Sequence, residues 1–246
     1  MSRHSKWSKI KHQKGVDDVK RSALFTRLSK NITLAVREGG SGDPKMNFKL
    51  RLAIDQAKAV NLPKDTVDRA IQKGLGTGAD GTVIERVQYE GFLPGGAAII
   101  IDSMTDNRNR TSGVVKNLLG KHGGNMGLPN SVAWMFSRKG VIRISNYKNL
   151  IPNLDEFQLK MIDFGADDFL TEEDDLVIYT TPENLEKIRE ALEKEKIVPE
   201  ETEIEFVPKE KMNTSDPTQK EKIENILNDL DENEDVDNYY TNLGEF

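Results

Sequence analysis

Apolar residues recur at helical spacing in the first third of the chain. If Asp17 to Arg37 is wound as a helix at about 100° per residue, one arc carries an apolar stripe. That stripe consists of Phe25, Leu28, Ile32, Ala35 and Val36. A second helix has Leu50, Ala53, Ile54 and Ala57 at spacings i, i+3, i+4 and i+7, and a third begins at Pro63 and ends at Gly74. The pattern predicts a three-helix bundle over residues 1–75 and a glycine-rich linker over 76–84.

The periodicity changes to that of strands after residue 84. Arg86 to Phe92 alternates, and a short apolar run from Ala97 to Ile101 follows the turn Pro94-Gly95-Gly96. A helix capped by Asp106 or Asn107 then runs to the glycines at 120, 123 and 124. We expect a third strand over Ser131 to Phe136.

The remaining elements predict an insertion. Residues 140–207 have the order β-α-β-β-α-β, which is typical of a ferredoxin-like domain. The helix Lys220–Leu230 and the strand Val236–Asn242 have no partners of their own, so we expect them to complete the sheet begun at Arg86. The predicted fold class is α+β multidomain, with an N-terminal three-helix bundle followed by two α/β domains. The middle domain would be discontinuous, 85–139 plus 208–246, and the ferredoxin-like domain, 140–207, would be inserted in it.

Charge is distributed very unevenly along the chain. Residues 1–75 contain 17 Lys and Arg against 7 Asp and Glu, a net charge of +10. Residues 76–155 contain 9 against 6, and residues 156–246 contain 9 against 28, a net of −19. A basic first third favours a polyanionic partner at short range, although the whole chain has a net charge of −6.

The candidate binding residues lie mainly in and before the first helix. Lys20, Arg27, Lys30 and Arg37 fall on the arc opposite the apolar stripe, although Ala23 and Leu34 interrupt them. Before the helix, Trp7 stands among the cations Lys6, Lys9 and Lys11. These cations could neutralise phosphates, and Trp7 could stack on an exposed base. The alternatives are a basic face that is simply solvated and a Trp7 that packs in the bundle core.

Two further arginines stand at a strand-to-helix junction. Arg108 and Arg110 lie where helix N-terminal amides also point outward, an arrangement that favours phosphate. The alternative is that they pair with acidic residues of the same chain.

Other classes of function find little support. The chain has no cysteine, which excludes disulfides, thiol catalysis and Cys-based metal sites, and His4, His12 and His122 lack metal-ligand spacing. A hydrolase using His122 and Asp102 is disfavoured because no nucleophile lies near. We therefore expect no catalytic residues, cofactor, metal or small-molecule substrate. Without a leader or an apolar span of ~20 residues, we expect a cytoplasmic monomer that does not bind membranes.

Ordered motifs along nearly the whole chain give a family resemblance. They include His4-Ser5-Lys6-Trp7, Arg37-Glu38-Gly39-Gly40, Asn61-Leu62-Pro63-Lys64-Asp65, Pro94-Gly95-Gly96 and Thr105-Asp106-Asn107-Arg108-Asn109-Arg110-Thr111. With these motifs the chain resembles the YebC/PmpR family. It departs from the usual pattern at Arg3, where the family has Gly, and at Phe92-Leu93, where the family more typically has a pair such as Tyr-Gly.

The resemblance implies a non-enzymatic regulator of gene expression. Family members are described as DNA-binding transcriptional regulators, which makes duplex DNA the leading expected partner. The similar mitochondrial translational activator of cytochrome oxidase is described as acting on ribosomes. Some relatives are said to ease synthesis of proline-rich stretches, so the alternative is a translation factor that binds ribosomal RNA.

Overall fold

The protein has a mixed α+β fold made of two compact units. The computed structural model describes residues 18–76 and 83–244. One unit is Ser137–Val207, and the other joins the described residues up to Phe136 with those from Pro208 onward. Two four-stranded sheets follow an N-terminal group of helices.

The N-terminal group is a bundle of three helices, α1 (Asp18–Gly39), α2 (Phe48–Ala59) and α3 (Lys64–Gly74). Its core contains the apolar residues that the periodicity indicated, among them Leu28, Ile32, Leu50, Ala53 and Ala57. Gly74 lies where α3 crosses α1: a Cβ there would be 2.6 Å from the Val36 Cβ and 2.7 Å from the Thr33 carbonyl oxygen. Close packing of these two helices therefore requires glycine at this position.

The first sheet joins both ends of the middle domain. Its order is β3-β1-β2-β8, with β1 (Glu85–Phe92), β2 (Ala98–Thr105), β3 (Asn125–Met126) and β8 (Val236–Thr241). The C-terminal strand β8 pairs antiparallel with β2, which confirms that the last strand completes the sheet begun near Arg86. Between β1 and β2, Gly95 and Gly96 have φ values of 87° and 89°, the left-handed region that glycine adopts without strain.

Two helices cover one face of this sheet. They are α4 (Arg108–Lys121), capped by the Asn107 side chain, and α8 (Pro217–Glu232), capped by Asp216. Val115 and Leu119 of α4 and Ile223, Ile226 and Leu230 of α8 pack with the sheet in one core.

The predicted strand over Ser131–Phe136 is wrong for most of its length. Residues Ala133–Met135 form a single 3₁₀ turn, and only Phe136 belongs to a strand. The reason is Glu90 of β1, which is buried. Its carboxylate accepts hydrogen bonds from the amides of Asn130, Val132 and Ala133 at 2.7, 2.7 and 2.8 Å. These bonds fold the segment into a compact loop instead of an extended chain.

The inserted unit has the predicted β-α-β-β-α-β order. It contains β4 (Phe136–Ile144), the short α5 (Tyr147–Leu150), α6 (Leu154–Asp163), β5 (Ala166–Glu172), β6 (Asp175–Thr180), α7 (Leu185–Lys194) and β7 (Glu201–Pro208). The sheet order is β5-β6-β4-β7, with β6 antiparallel to both β4 and β5. This is the split βαβ arrangement of a ferredoxin-like fold.

Candidate nucleic-acid interface

Arg27 is buried, contrary to the expectation that it lies on an exposed face of α1. Only 2% of the residue is accessible, and its guanidinium donates to the carbonyl oxygens of Asp231 and Asn233 at 2.8 and 3.2 Å. Burial lowers the pKa of Arg27, although Asp237 and Asp231 act in the opposite direction. Arg27 thus joins α1 to the C-terminal end of α8 and is unavailable to a ligand.

The reason lies in the apolar residues that interrupt the cations of α1. Ala23 and Leu34 are 2% and 5% exposed, and Leu34 packs with Ile84, just before the middle domain, and with Met104 of that domain. Helix α1 is therefore buried on two sides, one against the bundle and one against the middle domain.

Lys20 and Lys30 of α1 also face acidic residues of the same chain. The Lys30 ammonium is 2.6 Å from an Asp235 carboxylate oxygen and donates to the Glu234 carbonyl at 3.1 Å. Lys20 lies 4.0 Å from Glu232. Arg37, near the C-terminal end of α1, is partly exposed.

Arg108 and Arg110 pair with acidic side chains, as the alternative interpretation of the sequence predicted. Arg108 is 2.9 Å from Glu85, and Arg110 bonds Asp106 at 2.8 Å and Asp235 at 3.0 Å. The hydrogen bond and charge of Asp235 raise the pKa of Arg110. Neither arginine presents an unpaired guanidinium to solvent in this structure.

Asp235, in the loop before β8, connects that loop to two helices. It binds Lys30 of α1, Arg110 of α4 and the Thr111 hydroxyl, which donates at 2.8 Å. Partial burial would raise the pKa of Asp235, but the hydrogen bonds from these three donors outweigh it and lower the pKa. No local pattern marks Asp235, because it is one of several acidic residues in the run 229–237.

An open groove of about 970 Å³ borders α1. One wall consists of hydroxyl groups of α1, and the groove also contains four cations and three carboxylates. The hydroxyl-bearing residues are Ser22, Thr26, Ser29 and Thr33; the charged residues are Arg21, Lys30, Lys73, Arg110, Asp106, Glu234 and Asp235. Because two of the cations are bonded to Asp235, the groove is not a uniformly positive channel.

The bundle also has exposed cations, of which Arg21 lines the groove. Residues 18–76 contain 12 Lys and Arg against 6 Asp and Glu, a net of +6, while residues 208–244 contain 4 against 10. Arg21, Lys45, Lys64 and Arg69 are exposed. Within the part of the chain that the structure describes, none of these four has a carboxylate within 4.0 Å. They are the bundle cations that could contact an external phosphate.

The predicted residues Lys6, Trp7, Lys9 and Lys11 lie outside the described residues, so their roles stay predictions. The two residues of the disfavoured hydrolase have separate partners: His122 contacts Asp229 at 3.0 Å, and Asp102 accepts from Gln88 at 2.9 Å. Across residues 18–76 and 83–244, no group of three or more His, Asp or Glu is placed to hold a metal ion. No helix in that same part is long and apolar enough to cross a membrane.

Comparison with known proteins identifies the family. One family model, described as the TACO1/YebC N-terminal domain, matches residues 5–77, and another, the TACO1/YebC second and third domain, matches residues 84–243. The chain belongs to the TACO1/YebC family. The observed fold and the ordered sequence motifs agree with this assignment.

Relatives and a solved structure match over almost the whole chain. Proteins of Syntrophomonas wolfei and Kosmotoga olearia are 44% and 45% identical, with 99% of this chain and 96% and 94% of theirs covered. Both are named probable transcriptional regulatory protein, a regulatory rather than an enzymatic name. The crystal structure of a conserved hypothetical protein from Aquifex aeolicus matches with a TM-score of 0.83 at 38% identity, covering 97% of this chain and 96% of that one.

Proposed function

We propose that this TACO1/YebC protein is a nucleic-acid-binding regulator of gene expression that binds duplex DNA through its basic N-terminal bundle. The observation that carries the proposal is the set of exposed cations Arg21, Lys45, Lys64 and Arg69, none of which has a carboxylate within 4.0 Å among the described residues. The names of the relatives, probable transcriptional regulatory proteins, support a role in transcription. Lys6, Lys9 and Lys11 would extend the same basic region at the N-terminus.

Phosphate contacts of this kind have a measurable salt dependence. Each neutralised phosphate contributes about −0.9 to the slope of log affinity against log salt for duplex DNA. If about four phosphates are engaged, the slope should be roughly −3 to −4. These cations would therefore hold the nucleic acid mainly through its sugar-phosphate backbone and would not specify a base sequence.

The test compares two triple variants of equal charge. In the first, Lys45, Lys64 and Arg69 are changed to Glu; in the control, the exposed Lys116, Lys187 and Lys194 are changed to Glu. Fluorescence anisotropy with labelled duplex DNA at several salt concentrations should show a slope smaller by about 3 for the first variant only. A wild-type slope near zero, or equal binding by the two variants, would contradict the proposal.

A translation factor that binds ribosomal RNA is the second candidate. The exposure of Trp134, which is 67% accessible, favours it. An exposed ring can stack only on a base that is not already paired and stacked in a duplex. Crosslinking in cells followed by identification of the bound nucleic acid separates the two candidates. Enrichment of ribosomal RNA over genomic DNA would replace the DNA proposal with this one.

A further inference from the structure

Trp134 stands exposed on the surface of the middle domain. The residue is 67% exposed, and Leu128 of the same loop is 79% exposed. Burial of a large apolar side chain stabilises a folded protein, and neither residue is buried here. The two side chains therefore contribute little to the folded core.

The loop that carries Trp134 is rigidly held. The Glu90 carboxylate binds three of its amides, and the Gly127 amide donates to the Glu90 carbonyl at 2.7 Å. At the other end, the Lys209 amide donates to the Met135 carbonyl at 2.9 Å. A buried carboxylate and a backbone bond thus fix the position of the exposed ring before any partner arrives.

The orientation of the ring is also fixed. The indole N–H of Trp134 donates to the Ser131 carbonyl at 3.0 Å, which satisfies its polar atom within the loop. The Lys209 ammonium donates to the Trp134 carbonyl at 2.8 Å, and Lys211 is exposed two residues later. What remains for a partner is a flat apolar face beside positive charge.

These features fit an unpaired nucleobase better than a protein surface. A stable protein interface covers about 800 Å² on each partner, whereas an aromatic side chain buries only 150–250 Å². A single base stacked on an aromatic ring contributes about 1–3 kcal/mol, and nearby lysines can contact its phosphates. A regular duplex keeps its bases stacked internally and offers no base face to this ring.

We propose that Trp134, presented by the Glu90-bound loop, stacks on an unpaired base of a bound nucleic acid, with Lys209 and Lys211 contacting the adjacent phosphates. This inference rests on the proposed function but concerns a second surface, separate from the bundle cations. Stacking on Trp134 gives the middle domain a preference for single-stranded or looped segments, in RNA or in opened DNA.

The test measures anisotropy of the full chain with short unstructured oligonucleotides and with a duplex of the same sequence, each as RNA and as DNA. Trp134→Ala should weaken single-strand binding roughly 5- to 150-fold and leave duplex binding unchanged, while Trp134→Phe retains most of the affinity. Leu159→Ala is a matched control, because Leu159 is 66% exposed and lies in the inserted unit. Comparison of the RNA and DNA oligonucleotides shows which of the two nucleic acids the site prefers.

Fluorescence gives a second readout. The chain has two tryptophans, so a Trp7→Phe protein reports on Trp134 alone, and its emission should be quenched by a single strand. Unchanged single-strand affinity of Trp134→Ala, with normal duplex binding, overturns this inference and leaves the proposed function intact. If the wild-type chain binds none of the four nucleic acids, both the proposed function and this inference fail.

Discussion

At the scale of single residues, Arg27 shows how one buried cation can serve the fold instead of a ligand. It is 204 positions from Asp231 in sequence, yet its guanidinium bonds the Asp231 carbonyl. A charged donor to a carbonyl stabilises the folded state, and removing it leaves the carbonyls of Asp231 and Asn233 without that donor.

We expect Arg27→Ala to lower the free energy of unfolding by about 2–4 kcal/mol, because two charged hydrogen bonds and the packed side chain are lost. Arg27→Lys should cost less, since an ammonium retains the charge but not the planar pair of donors. Urea unfolding followed by circular dichroism measures both. Arg21→Ala, an exposed cation of the same helix, should change stability by less than about 0.5 kcal/mol. Equal stability of the Arg27 and Arg21 variants would contradict the structural role of Arg27.

The burial of Arg27 could not be predicted from the local sequence pattern. The helical period places Arg27 opposite the apolar stripe of α1, and that geometry is correct. Its burial depends on α8, which no local pattern connects to α1. The signal that could have indicated it was Leu34, an apolar residue among the cations, which packs against Ile84 and Met104.

At the scale of secondary-structure elements, Asp235 joins α1, α4 and the loop before β8. Its carboxylate accepts from Lys30, Arg110 and Thr111, at 2.6, 3.0 and 2.8 Å. Because its pKa is lowered in the folded state, the stabilisation it provides is present above the unfolded value of about 3.9 and is lost as the pH falls through the folded value.

We expect Asp235→Asn to destabilise the protein by about 1–3 kcal/mol near neutral pH, since the two cations lose their charged acceptor. The difference from the wild type should shrink as the pH falls below about 4, where the carboxylate of the unfolded chain takes up a proton, and should be lost below the folded-state pKa, which is lower. Thermal unfolding at a series of pH values measures this difference. Asp68→Asn, a change at an exposed carboxylate of α3, should show no such difference. A constant difference between the Asp235 variant and the wild type at all pH values would contradict this account.

The sequence predicted those helices and strands correctly whose apolar residues all face one nearby core. The three bundle helices and the six main elements of the insertion follow their predicted patterns. The prediction failed at Ser131–Phe136, where alternating Val132, Trp134 and Phe136 mimic a strand but Glu90 captures the amides. The same capture leaves Trp134 outside the core, so neither the loop nor the exposed ring could be predicted locally.

At the scale of the whole molecule, the boundary between the basic and the acidic regions of the chain does not coincide with the boundary between the two compact units. The net positive charge of residues 18–76 and the net negative charge of residues 208–244 belong to one compact unit. Part of this opposite charge is paired within the unit, since Lys20 lies near Glu232 and Lys30 binds Asp235. The cations proposed to bind nucleic acid are therefore those that this internal pairing leaves exposed.

Connectivity predicts that the insertion is separable. The two points of the other unit from which it branches are adjacent to each other, because the Lys209 amide donates to the Met135 carbonyl at 2.9 Å. Replacing residues 137–207 by a short Gly-Ser linker should leave the remaining unit folded, with cooperative unfolding and a dispersed amide NMR spectrum. Deleting residues 236–246 instead removes β8 from the side of β2 and should prevent folding, since buried Val236 and Tyr239 are lost from the core. A linker variant that is as disordered as this truncation would contradict the separability of the insertion.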